Sequence, residues 1–251
     1  MTLVRRIIYI KLVATGAIQI LRGATVIAQS TNNVVLQNTW GYLEAQVSVH
    51  ATTGNVTVRY NGVQQTAFTG NTKNGGTNDT VDTCVLYTDG ASWITFDDIY
   101  ILDDTGLAPY NTFLGDVRVY AISPNGAGAS TQFTPSSGAN YTTVDELPYS
   151  ATDYVSASAS GLRDTYTMAD LPANTATIYG VQTNIVTKKS DAGVISLKPV
   201  VRSGTTNYYG TTAVLGSSDA TIIDVRTQDP NTSAAWTPAG VNALEVGMEV
   251  V

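Results

Sequence analysis

The stretch at residues 43–68, LEAQVSVHATTGNVTVRYNGVQQTAF, decides the fold class. From 43 to 50, apolar residues at odd positions alternate with polar residues at even positions, as in a strand with one dry and one wet face. A Thr-Thr-Gly-Asn turn at 52–55 leads into a second strand. Asn61-Gly62 follows it, and this pair is the strongest short hairpin signal because both residues tolerate positive φ. The stretch therefore predicts three antiparallel strands joined by two tight turns.

The rest of the 251-residue chain carries the same signal. Only 13 % of the residues are charged, about half the ~25 % of ordinary soluble domains. The 43 % of hydrophobic residues, with 14 tyrosines, can support a packed core and argues against disorder. Further strands are predicted at 8–20 (as a hairpin), 81–86, 93–96, 99–102, 113–120, 165–168, 178–187, 194–202, 220–226 and 244–250. Short strands at spacings of ~8–12 residues predict an all-β chain of two jelly-roll-like β-sandwich domains.

A turn-rich run, Ser123–Gly128, separates the two predicted domains, 1–122 and 123–251, as a linker. No apolar stretch reaches the ~20 residues that a membrane-spanning helix needs, so we expect no membrane insertion. Residues 1–78 carry six basic side chains against one acidic one, a net charge of +5, and the remainder carries −12. The overall charge of −7 disfavours nucleic acid as a partner. The sign changes inside the first domain, so its basic start, with Arg5 and Arg6, is the surface expected to meet a partner.

Two groups of motifs carry a resemblance to known families. Trp40–Val47 and Gly54–Gly62 resemble the central hairpins of concanavalin/laminin-G-like jelly rolls, and Phe96–Ile101 with Phe113–Tyr120 resembles the closing strands of that fold. The run from Ile99 to Gly126 is similar to structural proteins of tailed bacteriophages and related particles. In those proteins a lectin-like domain precedes a second β-domain.

This resemblance implies that the first domain is incomplete. The stretch before the linker is shorter than a whole domain of this type, so its N-terminal strands are expected to be missing. An incomplete sandwich exposes strand edges, which natural proteins cover or protect. We therefore expect another chain or a neighbouring protomer to cover the edge.

Two tyrosines are the candidate ligand-binding residues. Tyr208 and Tyr209, beside Gly210, could stack on the face of a sugar, and Tyr141 beside Asn140 is a second candidate. Neighbouring residues on a strand point to opposite faces, so one of Tyr208 and Tyr209 is expected in the core. The three tryptophans, at positions 40, 93 and 236, are expected to be core anchors or interface residues.

No catalytic residue is assigned. The adjacent pairs Asp97/Asp98 and Asp103/Asp104 cannot each converge on one bond, because adjacent strand residues point to opposite faces. His50 is the sole histidine and lies on the polar side of its strand, beside a Thr-rich turn. The chain is therefore predicted not to be an enzyme.

The single cysteine and the acidic loops are the candidates for redox and metal chemistry. Cys84 is the sole cysteine, so the chain has no intramolecular disulfide, and it is expected to pack as a small buried side chain. No metal site and no cofactor are assigned. Calcium is the alternative left open, because acidic loops supply the oxygen ligands it prefers. The residues concerned are Asp79, Asp82, Asp89, Asp97, Asp98, Asp103 and Asp104.

The predicted function is that of a non-enzymatic structural component of a phage-like particle. It would lie on the virion exterior as a spike, fibre or tail-tip protein, with other particle proteins and copies of itself, taken as a trimer, as partners. Host attachment is an additional role left open. The alternative is a lectin-like module that binds a host surface polysaccharide.

Overall fold

The computed structural model describes residues 7–77, 79–88 and 94–251. Strands account for 38 % of the chain and helices for 4 %, and the sheets are antiparallel, which confirms the all-β prediction. The chain divides into two compact units, residues 1–119 and 120–251. The finer assignment of jelly-roll domains at 1–122 and 123–251 stays a prediction. None of the helices in the described ranges is long and apolar enough to cross a membrane.

Unit 1 contains two three-stranded sheets, β1-β2-β3 and β4-β5-β6. Its strands are β1 (Ile8–Leu12), β2 (Ile18–Arg22), β3 (Thr25–Gln29), β4 (Leu43–Ser48), β5 (Gly54–Tyr60) and β6 (Val63–Gly70). Ile18 and Ile20 of the first sheet pack with Val56 and Val58 of the second to form the core. The predicted N-terminal hairpin and the three strands of 43–68 are confirmed, with positive φ at both residues of the Asn-Gly turn.

The predicted dry face of β4 is largely uncovered in the structure, and one residue of its predicted wet face is buried. Leu43 is 50 % exposed and Ala45 and Val47 are exposed too, whereas Glu44 is 4 % exposed. The three apolar residues do lie on the core face, since Ala45 is in register with Val58. Elements β2 and β3 pack mainly against β6, and Leu43, Ala45 and Val47 of β4 stay exposed.

Residues 79–88 and 94–119 contain no strand, which contradicts the four strands predicted there. Cys84 is consequently exposed, not buried in a strand. A strand needs a partner for its backbone groups, and these segments make no ladder with any described residue. Trp93, the first residue of one predicted strand, lies outside the described residues, as do Asp89, Arg5 and Arg6.

Unit 2 is built on a six-stranded sheet in the order β13-β12-β16-β10-β7, with β14 paired to β12. Its elements are β7 (Pro124–Thr131), β8 (Thr134–Pro135), a 3-10 helix (Asn140–Thr143), β9 (Val155–Ser156), β10 (Arg163–Met168), β11 (Val181–Thr187), β12 (Ser196–Ser203), β13 (Thr206–Tyr209), β14 (Ala213–Val214), β15 (Ala220–Arg226), α1 (Pro238–Asn242) and β16 (Glu245–Val250). The ribbon β11-β15 packs through Ile185 and Ile222 on the core of Tyr166, Leu197 and Met248. The strands predicted in this half are confirmed.

The predicted linker is a strand. Pro124–Thr131 forms β7 and pairs with β10, although its composition is that of a turn. A Cβ at Gly126 would lie 2.6 Å from Thr167 Oγ1, and one at Gly128 would lie 2.5 Å from Thr165 Oγ1. The glycines are thus needed for close approach to β10.

Candidate functional site

The candidate site is the sheet face around Tyr209, the last residue of β13. Arg163 on β10 and Lys198 on β12 are both in register with Glu249 on β16, so the three form a row across the sheet. The row lies on the face opposite the core, because Met248 and Val250, the neighbours of Glu249, are core residues. Local alternation in three strands therefore brings two cations and a carboxylate beside an aromatic ring.

Glu249 is the centre of this cluster. Its Oε2 accepts hydrogen bonds from Arg163 Nε at 2.7 Å, from the Arg163 terminal nitrogen and from the Tyr209 hydroxyl at 3.1 Å. Lys198 Nζ lies 2.7 Å from Oε1. Arg163 also donates to the Tyr209 hydroxyl at 2.7 Å. Every charged group of the row is thus paired within the row.

The electrostatics follow from this pairing. Burial alone raises the pKa of the Glu249 carboxyl, but the hydrogen bonds from Lys198 and Arg163, the charge of Arg163 and the hydrogen bond from Tyr209 outweigh it. The net effect holds the pKa of Glu249 below its ordinary value. The carboxylate therefore stays ionised, which suits charge-assisted positioning of Tyr209 rather than proton transfer.

Tyr209 is 43 % exposed. Lys198 Nζ lies 4.1 Å from the ring centroid and Arg163 Cζ lies 5.5 Å from it, so Lys198 occupies part of the ring surface. The remaining exposed surface, bordered by guanidinium and ammonium donors, has the character of a sugar-stacking or anion-contacting position.

Tyr208 makes a different set of contacts. Its hydroxyl donates to Asn231 Oδ1 at 3.2 Å, and its carbonyl accepts from Arg226 at 3.4 Å. The side chain is half-buried, so the expectation that one of Tyr208 and Tyr209 is a core residue is wrong. Among the described strands, the end strand β13 has a neighbour on one side only, and both tyrosines are partly open.

The second predicted tyrosine site contains a buried carboxylate that sequence reasoning missed. Asp164 is 0 % exposed. Its Oδ1 accepts from the N–H groups of Gln132 at 2.5 Å and Phe133 at 2.8 Å. Its Oδ2 accepts from Asn140 Nδ2 at 2.5 Å and from the Tyr166 hydroxyl at 2.9 Å. Burial, then the charge of Asp164, raises the pKa of Tyr166 strongly, so this hydroxyl stays a donor.

The contacts of this cluster are internal to unit 2. Asn140 is buried and already bonded to Asp164, and Tyr141 is a partly buried ring packed against the core. Asp164 alternates with Tyr166 and Met168 along β10 and therefore lies on the same face of the strand as these two residues. This alternation is the sequence signal that could have revealed the buried carboxylate.

Unit 1 holds a second buried carboxylate. Glu44 Oε1 accepts from the Tyr100 hydroxyl at 2.6 Å and from the Gly115 N–H at 2.8 Å. Burial, then the bond to Glu44, raises the pKa of Tyr100 to about 12. Arg59, in register with Glu44, places its guanidinium carbon 4.0 Å from the centre of the Phe113 ring. The irregular segment is thus fastened to the sheet at Tyr100, Phe113 and Gly115.

One member of each candidate carboxylate pair accepts hydrogen bonds within the irregular segment. Asp98 accepts from the Val119 N–H at 2.7 Å. Asp103 accepts from the Thr105 hydroxyl at 2.7 Å and from its N–H at 3.1 Å, which holds the pKa of Asp103 below its ordinary value. Within the described residues, no three His, Cys, Asp or Glu side chains are placed to hold a metal ion. The calcium alternative therefore gains no support from the described acidic residues.

His50 acts as a turn cap. It follows β4 and is exposed, and its Nδ1 accepts from the N–H groups of Thr52 at 3.2 Å and Thr53 at 3.0 Å. These bonds stabilise the turn before β5. The contacts on the ring thus have a structural purpose.

The tryptophans divide as follows. Trp236 is a core residue, and its Nε1 donates to the Arg226 carbonyl at 2.8 Å. Trp40 is 72 % exposed, so it is not a core anchor. It precedes β4, whose apolar row is also uncovered.

Comparison with known proteins adds no identification. No family model, no curated protein and no solved structure matches the chain.

Proposed function

We propose that the chain is a non-enzymatic structural component of a phage-like particle, placed on the virion exterior as a spike, fibre or tail-tip protein. Its work is assembly with copies of itself and with other particle proteins. The sequence resemblance of residues 40–126 to concanavalin/laminin-G-like jelly rolls and to phage structural proteins supports this class. The all-β architecture is compatible with it.

One observation carries the proposal: unit 1 buries the carboxylate Glu44 but leaves many large apolar side chains exposed. Glu44 is buried and bonded, whereas large apolar side chains are exposed along 81–119. These are Val81, Val85, Leu86, Tyr87, Ile94, Phe96, Ile99, Ile101, Leu102, Leu107 and Val119. Exposed apolar surface in such quantity marks a region that meets a partner.

The test is the oligomeric state of the purified chain. Light scattering coupled to size-exclusion chromatography, over a rising concentration series, should show a defined oligomer, with three copies as the expected number. Negative-stain images should show particles of uniform shape. A stable monomer that does not aggregate at any concentration would overturn the assembly proposal. Release of fragments from bacterial polysaccharides would overturn the non-enzymatic part.

A second candidate function, a lectin-like module, is favoured by the Tyr209 cluster. An exposed ring fixed by Arg163 and Glu249 is pre-organised, so little conformational entropy is lost on stacking against a sugar. The test is binding of the chain to an array of bacterial surface polysaccharides. Tyr209→Ala should abolish a signal that Tyr208→Phe retains. An array with no signal for the native chain would leave assembly as the sole function.

A further inference from the structure

The uncovered strand β4 is an edge that lacks protection. It pairs with β5 on one side and with no other strand of the described chain. The Asn61 N–H donates to the Tyr42 carbonyl, so even-numbered residues direct their backbone groups towards β5. Leu43, Ala45 and Val47 therefore direct theirs towards the open edge, while their side chains continue the core face. Natural edges usually carry a lysine, a proline or a bulge, and β4 has none of these.

We propose that β4 pairs antiparallel with β4 of a second copy of this chain, about a two-fold axis at Ala45. This deepens the proposed function, on whose self-assembly it rests, by naming the surface. The pairing joins the two three-stranded β4-β5-β6 sheets into one continuous six-stranded sheet.

The register follows from parity and charge. Open backbone groups belong to odd residues, so odd residues must face odd residues, and an axis at Ala45 places Leu43 opposite Val47 of the second copy. The small Ala45 side chains meet at the axis. Glu44 then faces the neutral Gln46, whereas an axis at residue 44 would bring two carboxylates together. Avoidance of paired carboxylates thus excludes the axis at residue 44. An axis at residue 46 would place Leu43 opposite Val49, which lies beyond β4 and is buried, so the register centred on Ala45 remains.

The only charge on β4 does not oppose the pairing. Glu44 is held on the other face by Tyr100 and Gly115, so it is already desolvated and satisfied before a second copy arrives. The apolar row, by contrast, gains cover only from outside. A six-residue edge is short, so a single pairing is weak. A two-fold contact joins copies in pairs and cannot close a ring of three, so in the proposed trimer the three β4 edges would join one trimer to a second. Three simultaneous pairings would make the contact effective.

Cysteine trapping tests the register. Ala45→Cys is made in a Cys84→Ser background, because Cys84 is exposed and would cross-link by itself. In the proposed pairing the two introduced cysteines face each other at a Cα separation of about 5.5 Å, within disulfide range. Gln46→Cys, on the same exposed strand, is the matched control, since its copies lie about 7 Å apart or more. Mild oxidation should give covalent dimer with Ala45→Cys and little with Gln46→Cys.

A charge variant tests the surface without cross-linking. Leu43→Lys should weaken self-association about tenfold or more, because two lysines would replace two apolar contacts at the symmetric interface. Val194→Lys, at an exposed valine of unit 2, should leave association unchanged. Urea unfolding of both variants shows that each remains folded.

The outcomes separate this inference from the proposed function. Equal trapping at positions 45 and 46, or an oligomer that Leu43→Lys leaves intact, would overturn the β4 pairing while self-assembly stands. If the native chain stays monomeric and the Ala45→Cys variant gives no covalent dimer, both the β4 pairing and the proposed self-assembly are overturned.

Discussion

Substitution of the buried Asp164 gives the sharpest test of how unit 2 is held together. Asp164→Asn keeps the shape of the side chain but replaces one acceptor oxygen with an NH2 donor. With the remaining oxygen on the N–H groups of Gln132 and Phe133, the new donor faces the Asn140 amide, itself a donor. The Tyr166 hydroxyl can turn to accept.

The expected loss follows from these contacts. Removing the charge weakens the remaining hydrogen bonds by about 1 kcal/mol each, and one buried unsatisfied donor costs about 1–3 kcal/mol more. Relief of the cost of burying a charge offsets part of this, so we expect a net loss of about 2–4 kcal/mol in the free energy of unfolding. Tyr166→Phe removes one bond of the same cluster and should lose about 1–2 kcal/mol.

Urea unfolding measures the difference. Trp236 is the only tryptophan of unit 2, so its fluorescence reports that unit alone in a Trp40→Phe/Trp93→Phe background. With a denaturant slope of about 1–3 kcal/mol per molar, the midpoint for Asp164→Asn should fall by about 1–2 M. Tyr208→Phe, which removes a partly exposed hydroxyl bonded to Asn231, is the matched control and should change stability by less than about 0.5 kcal/mol.

Two results would refute this account. If Asp164→Asn unfolds within about 0.5 kcal/mol of the native chain, the carboxylate is not the anchor of the 132–140 segment. If Tyr166→Phe costs as much as Asp164→Asn, the hydroxyl rather than the negative charge dominates the cluster. An ordered series, with Asp164→Asn largest and Tyr208→Phe smallest, supports it.

Three further predictions concern other clusters. The raised pKa of Tyr100 stabilises unit 1 fully below pH 10, and this contribution should fade towards pH 12; alkaline urea titrations should show a smaller loss in Tyr100→Phe than in the native chain. The lowered pKa of Glu249 stabilises unit 2 above the ordinary glutamate pKa of about 4.3, and acid titration of Glu249→Gln should lack the loss that the native chain shows below it. In Gly247→Ala the new Cβ would overlap the Asp164 carbonyl, so the free energy of unfolding should fall by about 3 kcal/mol or more. In Gly216→Ala the nearest atom to the new Cβ is 4.0 Å away, so the free energy of unfolding should hardly change. Thermal unfolding of both variants measures the difference.

Elements with a clear local sequence pattern were predictable, even where their partner strands are distant in sequence. The hairpin at Asn61-Gly62 and the strand β15 at Ala220–Arg226 follow from local pattern and turn chemistry. Strand β16 follows from its alternation, with Glu245, Gly247 and Glu249 against Val246, Met248 and Val250. In each case the residues that decide the structure lie within a few positions of one another.

The burial of Glu44 and the strand at Pro124–Thr131 were not predictable in that way. Glu44 occupies one of the alternating polar positions of β4, where the pattern predicts exposure. Its burial is favourable because Tyr100 and Gly115, 56 and 71 residues away, donate hydrogen bonds to it. Strand β7 reads as a linker because its glycines suit turns, but the need here is for space beside Thr165 and Thr167 on β10. The sequence around Gly126 and Gly128 does not show which distant residues will pack closely against these glycines.

The site around Tyr209 shows the same division. The sequence singles out Tyr208 and Tyr209 as neighbouring aromatic residues, and one of them does present an exposed ring. The residues that fix the ring, Arg163 and Glu249, are 46 and 40 positions away along the chain. Their alignment depends on the register of three strands, which local pattern does not specify.

Both units use one buried carboxylate to fasten irregular chain to a strand. In unit 1 Glu44 holds Tyr100 and Gly115, and in unit 2 Asp164 holds the chain at Gln132, Phe133 and Asn140. The units differ in what they leave uncovered.

In unit 2 the fastened segment contributes Phe133 to the core. In unit 1 Ile99 and Ile101, on either side of the fastened Tyr100, are exposed, and so is the apolar row of β4. The same device therefore closes the core of unit 2 but presents apolar surface in unit 1. Self-assembly is accordingly expected to depend on unit 1, and contact with a glycan, where it occurs, on the Tyr209 face of unit 2. Leu43→Lys should then disrupt association without affecting any glycan binding, and Tyr209→Ala should do the reverse.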